Sequence, residues 1–321
     1  MEPLYSIDQL TQLVNTAIEK LTFPAEPRHL YDPIRYVLSG GGKRIRPVLM
    51  LMAYNLYKDK PEDIIQQAIA LETYHNFTLL HDDVIDKSDL RRGRPTVHKK
   101  WNETIAILSG DTMLMLAYRM FGNNAAFKDF TEATLGVGEG EQLDIDFEER
   151  TDVTEAEYME MIRLKTSFLL AYALKIGAKL AGADEEDQQN LYDFGIKMGL
   201  AFQVQDDLLD VYADTAVFQK KLGGDIVENK KTYLLIQALQ KANAEQKAEL
   251  DAWIAKTECN QEEKIAAVTH IYNNIGIPAI TQRCIETLFE ESHKSLDKVK
   301  VSENRKAELR TFAKKLLGRK Y

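Results

Sequence analysis

The chain has 321 residues, with 41 Lys and Arg against 50 Asp and Glu, and its formal charge of −9 argues against a general nucleic-acid binder. Hydrophobic residues make up 45% of it, enough for a sizeable core, yet no run of about 18 apolar residues is present to span a membrane. Cys259 and Cys284 are too few for a disulfide framework, and Met1-Glu2-Pro3 does not open a signal peptide, so a cytoplasmic protein is expected.

Helical period runs through almost every segment. Ser6 and Gln9 form a candidate capping box, followed by an apolar stripe of Ile7, Leu10, Val14, Ile18 and Leu21. Gly40-Gly41-Gly42 closes a second helix, and a third begins near Lys43. A long helix is predicted from about Pro61 to Asp86, broken by the turn residues Gly93 and Pro95. Further helices are predicted over 102–121, 129–148, 154–181 and 185–212. The stretch 213–231, containing Gly223-Gly224, is the one extended loop, and long ordered loops of this kind are often lids. Shorter helices lead to a basic tail with Lys314, Lys315, Arg319 and Lys320, read as solvated. No period-two alternation is long enough for a sheet, and no internal repeat is visible. Without a compositional break, linker or low-complexity tract, the expectation is a single all-α domain over residues 1–321.

Two copies of Asp-Asp-x-x-Asp, at Asp82-Asp83-Val84-Ile85-Asp86 and Asp206-Asp207-Leu208-Leu209-Asp210, lie about 120 residues apart inside apolar helical stretches. Three carboxylates are costly to bury there without partners. On a helix the first and last Asp of each copy share a face, which can hold hard divalent cations through oxygen and leave room for phosphate. The middle residues, Asp83 and Asp207, point off that face toward supporting or capping contacts. Cations are clustered nearby in sequence. Lys43 and Arg46 stand about one turn apart at a helix start, where free N–H groups favour an anion. Arg91 and Arg92 follow the first triplet closely, and arginine suits bidentate phosphate contacts. Together these residues predict a site that handles a diphosphate with magnesium.

The pattern resembles the trans-isoprenyl diphosphate synthases, or polyprenyl synthetases. The shared signatures are GGKRIRP from Gly41, His75 with LLHDDVID, DLRRG from Asp89, Lys165-Thr166, FQVQDDLLD from Phe202, Lys220, and Lys230-Lys231-Thr232, all in the family's order. The resemblance implies a helical bundle of the isoprenoid synthase type with a central cavity for diphosphate and hydrocarbon. It implies head-to-tail condensation of an allylic diphosphate with isopentenyl diphosphate. Three Mg²⁺ would be held by Asp82 and Asp86 on one side and Asp206 on the other, with Asp210 the weaker candidate. Lys165, Lys220 and Arg91 would clamp the allylic diphosphate, with Lys230 approaching from the loop. Lys43, Arg46, His75 and Arg92 would hold isopentenyl diphosphate, and Thr166 and Gln203 would flank the carbocation. A homodimer is expected on the same ground. The chain departs from the family pattern at Glu141 (commonly Gln), Gln205 (commonly basic), Asn229 (commonly Gly) and Leu234 (commonly Pro), positions read as lying around the loop and the second triplet's rim.

Product length depends on what blocks the pocket below the first triplet. Phe77, five residues before Asp82, lies roughly 7.5 Å down the helix. Thr78 is one turn below Asp82 and small, and Tyr74 is a further turn down. One aromatic at this place, with no insertion in the triplet, resembles geranylgeranyl diphosphate synthases. Farnesyl diphosphate is the alternative if Tyr74 or a partner-subunit residue tightens the floor. Three rivals remain. A class I terpene cyclase would carry Asn/Asp-x-x-Ser/Thr-x-x-x-Glu at its second metal site. A metal phosphohydrolase on His81-Asp82 would need more histidines than His29, His98, His270 and His293 offer in context. A non-catalytic synthase subunit sits poorly with two intact triplets.

Overall fold

The computed structural model describes residues 4–213, 222–256 and 259–318. The chain begins with α1 (Ile7–Glu19), α2 (Arg28–Leu38), α3 (Ile45–Asn55), a 3-10 turn (Pro61–Ile64) and α4 (Ile65–Ile85). A strand pair, β1 (Leu90–Arg91) and β2 (Arg94–Pro95), precedes α5 (Val97–Lys100), α6 (Glu103–Phe121) and α7 (Phe127–Glu148). Next come α8 (Glu155–Ile162), a π-turn (Arg163–Ser167), α9 (Phe168–Leu180) and α10 (Glu185–Tyr212). The chain then forms α11 (Gly224–Val227), α12 (Tyr233–Lys241), α13 (Ala244–Ile254), α14 (Gln261–Ile275), α15 (Ile277–Asp297) and α16 (Glu303–Leu317).

Local chemistry explains where these helices start. Ser6 and Gln9 form the reciprocal capping box expected for α1, and Thr154 with Glu157 does the same for α8. Asn102 caps α6 by accepting from the Ile105 N–H. The fold is all-α as expected, and it differs from the sequence reading in local details. Residues 90–95 make a two-stranded hairpin, its central Arg92 and Gly93 both at positive φ (54° and 73°) as a type I′ turn requires. Strands of two residues leave no alternation to detect. The helix expected over 154–181 is interrupted by the π-turn, which 3.6-residue periodicity does not mark. Of the loop predicted over 213–231, residues 214–221 lie outside the described residues, and Gly224–Val227 is a helical turn.

Contacts divide the chain into two compact units, the first comprising 1–134, 172–192 and 299–309, the second 135–171, 193–298 and 310–321. In the first, α4 packs along α6 and α3, burying Ala68, Leu71, Met113, Ala117 and Phe121, with the Phe121 and Phe130 rings stacked at 4.2 Å. Fully burying each such large side chain contributes about 1.5–3 kcal/mol. In the second, Val204, Leu208 and Leu209 of α10 are buried, and α12 and α14 pack on α15 around Leu235, Val268, Ile271 and Ile285. Both cysteines are unpaired, and no helix among the described residues is long and apolar enough to cross a membrane.

Candidate functional site

Each Asp triplet occupies the C-terminal end of a long helix, the first at the end of α4 with Asp86 as C-cap, the second in the last turns of α10. The carbonyl end of a helix carries partial negative charge, so three carboxylates there are mutually unfavourable until a cation joins them. In both triplets the outer residues are accessible: Asp82, Asp206 and Asp210 are half-buried and Asp86 is exposed. The middle residues, Asp83 and Asp207, are buried. Outer and middle positions thus differ in exposure, as the helical geometry predicted.

In the first unit, Asp83 Oδ1 accepts from Arg91 Nε (2.8 Å) and lies 2.7 Å from its Nη2, tying the hairpin to α4. Burial raises the Asp83 carboxyl and Arg91 opposes that shift. Arg92 turns the other way and donates to the Gly41 carbonyl. Its guanidinium covers Gly42, where a Cβ would stand 2.7 Å from Cζ, and Gly42 itself has a φ of +127°, so only glycine fits there. Arg46 Nη1 is 3.0 Å from His75 Nε2. Arginine has only donors, so His75 Nε2 accepts and its proton resides on Nδ1. Burial, followed by the charges of Arg46 and Arg92, holds His75 well below its ordinary value, and the imidazole is neutral at pH 7. Burial also draws Arg46 down to about 10, with Glu72 opposing and Arg92 reinforcing. Arg46 Nε is buried without a hydrogen-bond partner, a donor that a ligand oxygen could take. The structure therefore brings Arg46, His75 and Arg92 together, with Lys43 exposed on the segment before α3. Arg44, between them in sequence, does something else. It is buried at φ 48° and pairs with Glu72 at 2.7 Å, which ties the start of α3 to α4.

Phe77 is half-buried, its ring centroid 5.5 Å from Tyr74 and 4.8 Å from His81. Tyr74 is buried behind it and donates to the Thr134 carbonyl at 2.8 Å. The Thr78 hydroxyl turns back to the His75 carbonyl. His81 Nε2 faces the Ile107 carbonyl at 3.2 Å.

In the second unit, Lys165 and Thr166 lie within the π-turn. Glycines grip this turn from two helices: a Cβ at Gly140 of α7 would stand 2.3 Å from Lys165 N, and one at Gly199 of α10 would stand 2.6 Å from Ser167 Cα. Thr166 Oγ1 donates to Gln203 Oε1 (3.0 Å), and Gln203 Nε2 donates to Asp207 Oδ1 (3.2 Å). Asp207 Oδ2 also accepts from Tyr158 Oη (2.6 Å) and the Tyr233 N–H (3.1 Å). Lys165 Nζ reaches Asp144 Oδ2 (2.6 Å) and Glu141 (3.0 Å). Asp210 Oδ2 accepts from the Asp225 N–H at 3.0 Å, anchoring the start of α11. Lys165, Thr166, Gln203, Asp207, Asp225, Lys230 and Lys231 line one open cavity of about 540 Å³. Lys220 lies outside the described residues. Sequence reasoning misses Tyr158 and Asp225, since neither stands in a pattern that marks it. Gln205, read as a rim residue, is instead buried and donates to the Leu317 carbonyl at 2.7 Å.

Burial lifts the Asp207 carboxyl to about 6, and burial with the charges of Asp207 and Asp210 lifts Asp225 to about 7. Both groups hold protons more tightly folded than unfolded, so the folded state binds more protons between about pH 4 and 7. Stability should therefore fall as pH rises through that window and level off above it. Thermal unfolding in EDTA should give a lower Tm at pH 8 than at pH 5, and Asp225→Asn should reduce the difference. His75, held neutral, opposes this below about pH 6.5, so the variant decides: a pH 5 to pH 8 difference in Tm left unchanged by Asp225→Asn would contradict its raised carboxyl.

Among the described residues no three His, Cys, Asp or Glu side chains converge into a closed metal cage. The accessible carboxylate pairs still fit magnesium, which takes one or two carboxylates and completes its shell with water and phosphate oxygens. The polyprenyl synthetase family model matches residues 27–272. A geranylgeranyl diphosphate synthase of Methanosarcina mazei is 38% identical over 296 residues, 88% of each chain. The crystal structure of a geranylgeranyl pyrophosphate synthase has a TM-score of 0.93 to this chain at 41% identity, covering 99% of this chain and 100% of the other. Another geranylgeranyl pyrophosphate synthase, from Corynebacterium glutamicum and complexed with isoprenyl diphosphate and magnesium, has a TM-score of 0.85 at 29% identity, covering 98% and 100%.

Proposed function

The chain belongs to the polyprenyl synthetase family, a prenyltransferase in class, and on that footing we propose that it makes geranylgeranyl diphosphate in a magnesium-dependent reaction. The observation that carries the reaction class is the repeated triplet at a helix C-terminus, its outer residues accessible to solvent and its middle one buried. Residues 1–321 are proposed to work as one domain, a view supported by a family match that runs through both units. A homodimer is proposed as well, a second copy covering Ile107, Leu108 and Met115, which stay exposed along α6. The two unpaired thiols suit a reducing cytoplasm.

Asp82, Asp86 and Asp206 are the proposed holders of magnesium, in three ions by family resemblance, with Asp210 engaged in positioning α11. When bound, the metal neutralises charge gathering on the leaving diphosphate. Lys165, Lys230, Lys220 and Arg91 donate to that diphosphate as its C–O bond breaks. Arg91 spends two donors on Asp83 and has others to offer. With its proton committed to Gln203, the Thr166 hydroxyl presents lone pairs, the polarity an allylic cation needs. Lys43, Arg46, His75 and Arg92 hold isopentenyl diphosphate, the neutral His75 offering Nδ1–H. Its double bond attacks the allylic carbon, a C–C bond forms, and a proton passes to the departing diphosphate.

Labelled isopentenyl diphosphate incubated separately with five-, ten- and fifteen-carbon starters, followed by dephosphorylation and chromatography, should yield the twenty-carbon alcohol. A product ending at fifteen carbons would favour farnesyl diphosphate, and no condensation would sink the assignment. Arg46→Ala should raise the KM for isopentenyl diphosphate by about a hundredfold, the worth of a buried charge-assisted contact. Its allylic KM should stay within about threefold, since a single interaction with the other substrate is removed. Equal changes in both, with each substrate varied in turn, would contradict the division.

A further inference from the structure

Lys165 already has two anionic partners. Its ammonium lies 2.6 Å from Asp144 and 3.0 Å from Glu141, side chains from adjacent turns of α7. That helix is pressed onto the π-turn backbone at Gly140, so the base of Lys165 is fixed while its tip is shared. The group remains within reach of solvent, with Lys165 28%, Glu141 24% and Asp144 34% exposed. One carboxylate is enough to neutralise one ammonium. The other leaves a surplus negative charge where a polyanion has to bind. Asp144 lines the cavity together with Lys165, whereas Glu141 stands outside that lining.

We propose that Glu141 sets the affinity for the allylic substrate by competing with its diphosphate for the Lys165 ammonium. This rests on the assignment of Lys165 to the allylic diphosphate made above. Lys165 must be drawn from Glu141 for ground state and transition state alike, so the effect belongs in KM and not in kcat. Glu141→Gln keeps the shape and an acceptor oxygen but removes the charge. It should lower the allylic KM about fivefold, the scale of a partly exposed ion pair. The kcat and the KM for isopentenyl diphosphate should stay within about twofold, since uniform binding energy alone is changed. Calorimetric titration of inorganic pyrophosphate with Mg²⁺ should tighten by the same factor as the allylic KM. Glu141→Ala, less conservative, should move both quantities in the same direction.

The deciding measurement is the double variant with Lys165→Ala. In that background Glu141→Gln should change the allylic KM by less than about 1.5-fold, because the group competed for is gone. A residue with a merely structural role would act equally in both backgrounds. If Lys165→Ala alone leaves the allylic KM unchanged, the assignment of Lys165 is at fault. If Lys165→Ala raises it while Glu141→Gln leaves it unchanged or raises it, Glu141 does not compete and this inference fails by itself.

Discussion

Asp82→Ala and Asp206→Ala should each lower kcat by at least about a thousandfold at saturating substrates, the scale of losing several kcal/mol of charge stabilisation. The two residues are accessible members of triplets at helix C-termini, where the carbonyl ends add to the carboxylates' own field. Removing either carboxylate weakens cation binding where the leaving diphosphate acquires charge. The middle positions offer the contrast. Asp83 and Asp207 act through Arg91 and through Tyr158, Gln203 and the Tyr233 N–H, so Asp83→Asn and Asp207→Asn should cost stability and positioning more than metal. Incorporation of labelled isopentenyl diphosphate over a magnesium titration separates the two classes. Full turnover in EDTA, or in both alanine variants, would overturn the metal assignment.

Phe77→Ala should shift the products to longer chains. The ring sits half-buried between Tyr74 and His81 on the helix that carries the first triplet, so its removal opens space without touching the carboxylates. Each additional buried methylene of product gains about 0.8 kcal/mol, enough over one isoprene unit to favour another condensation. Tyr74 would then limit the extension, because its hydroxyl is tied to the Thr134 carbonyl and its ring is buried against Phe130. Products of twenty-five carbons and more are expected, with total incorporation within about tenfold of the parent because the metal ligands are unchanged. An unaltered product distribution would make Phe77 a packing residue.

Much of this architecture could be read from residues with strong local preferences. Ser6, Asn102 and Thr154 start helices where their side chains can cap free N–H groups, and α10 has the bounds its pattern predicts. The different exposure of outer and middle Asp follows from helical geometry alone. What stayed hidden depends on residues distant in sequence. Nothing local distinguishes Arg44 from Lys43 and Arg46, yet Glu72, from another helix, makes Arg44 a buried structural ion. The raised carboxyl of Asp225 comes from burial and from Asp207 and Asp210, which the chain folds against it. The Lys165 partners Glu141 and Asp144 likewise come from a different helix.

The π-turn has a consequence for how this chain can vary in length. Such a turn holds one residue more than an α-turn, and here it is wedged between Gly140 and Gly199. Deleting one residue from Arg163–Ser167 would restore an ordinary α-turn and leave α9 nearly in phase, because the extra residue is held within that single turn. Lys165 and Thr166 would lose their alignment together, because both depend on the same extra residue. Side chains in this segment can therefore change one at a time, but its residue count cannot. The connection 149–153 before α8 has no such register to keep and can absorb an insertion or deletion.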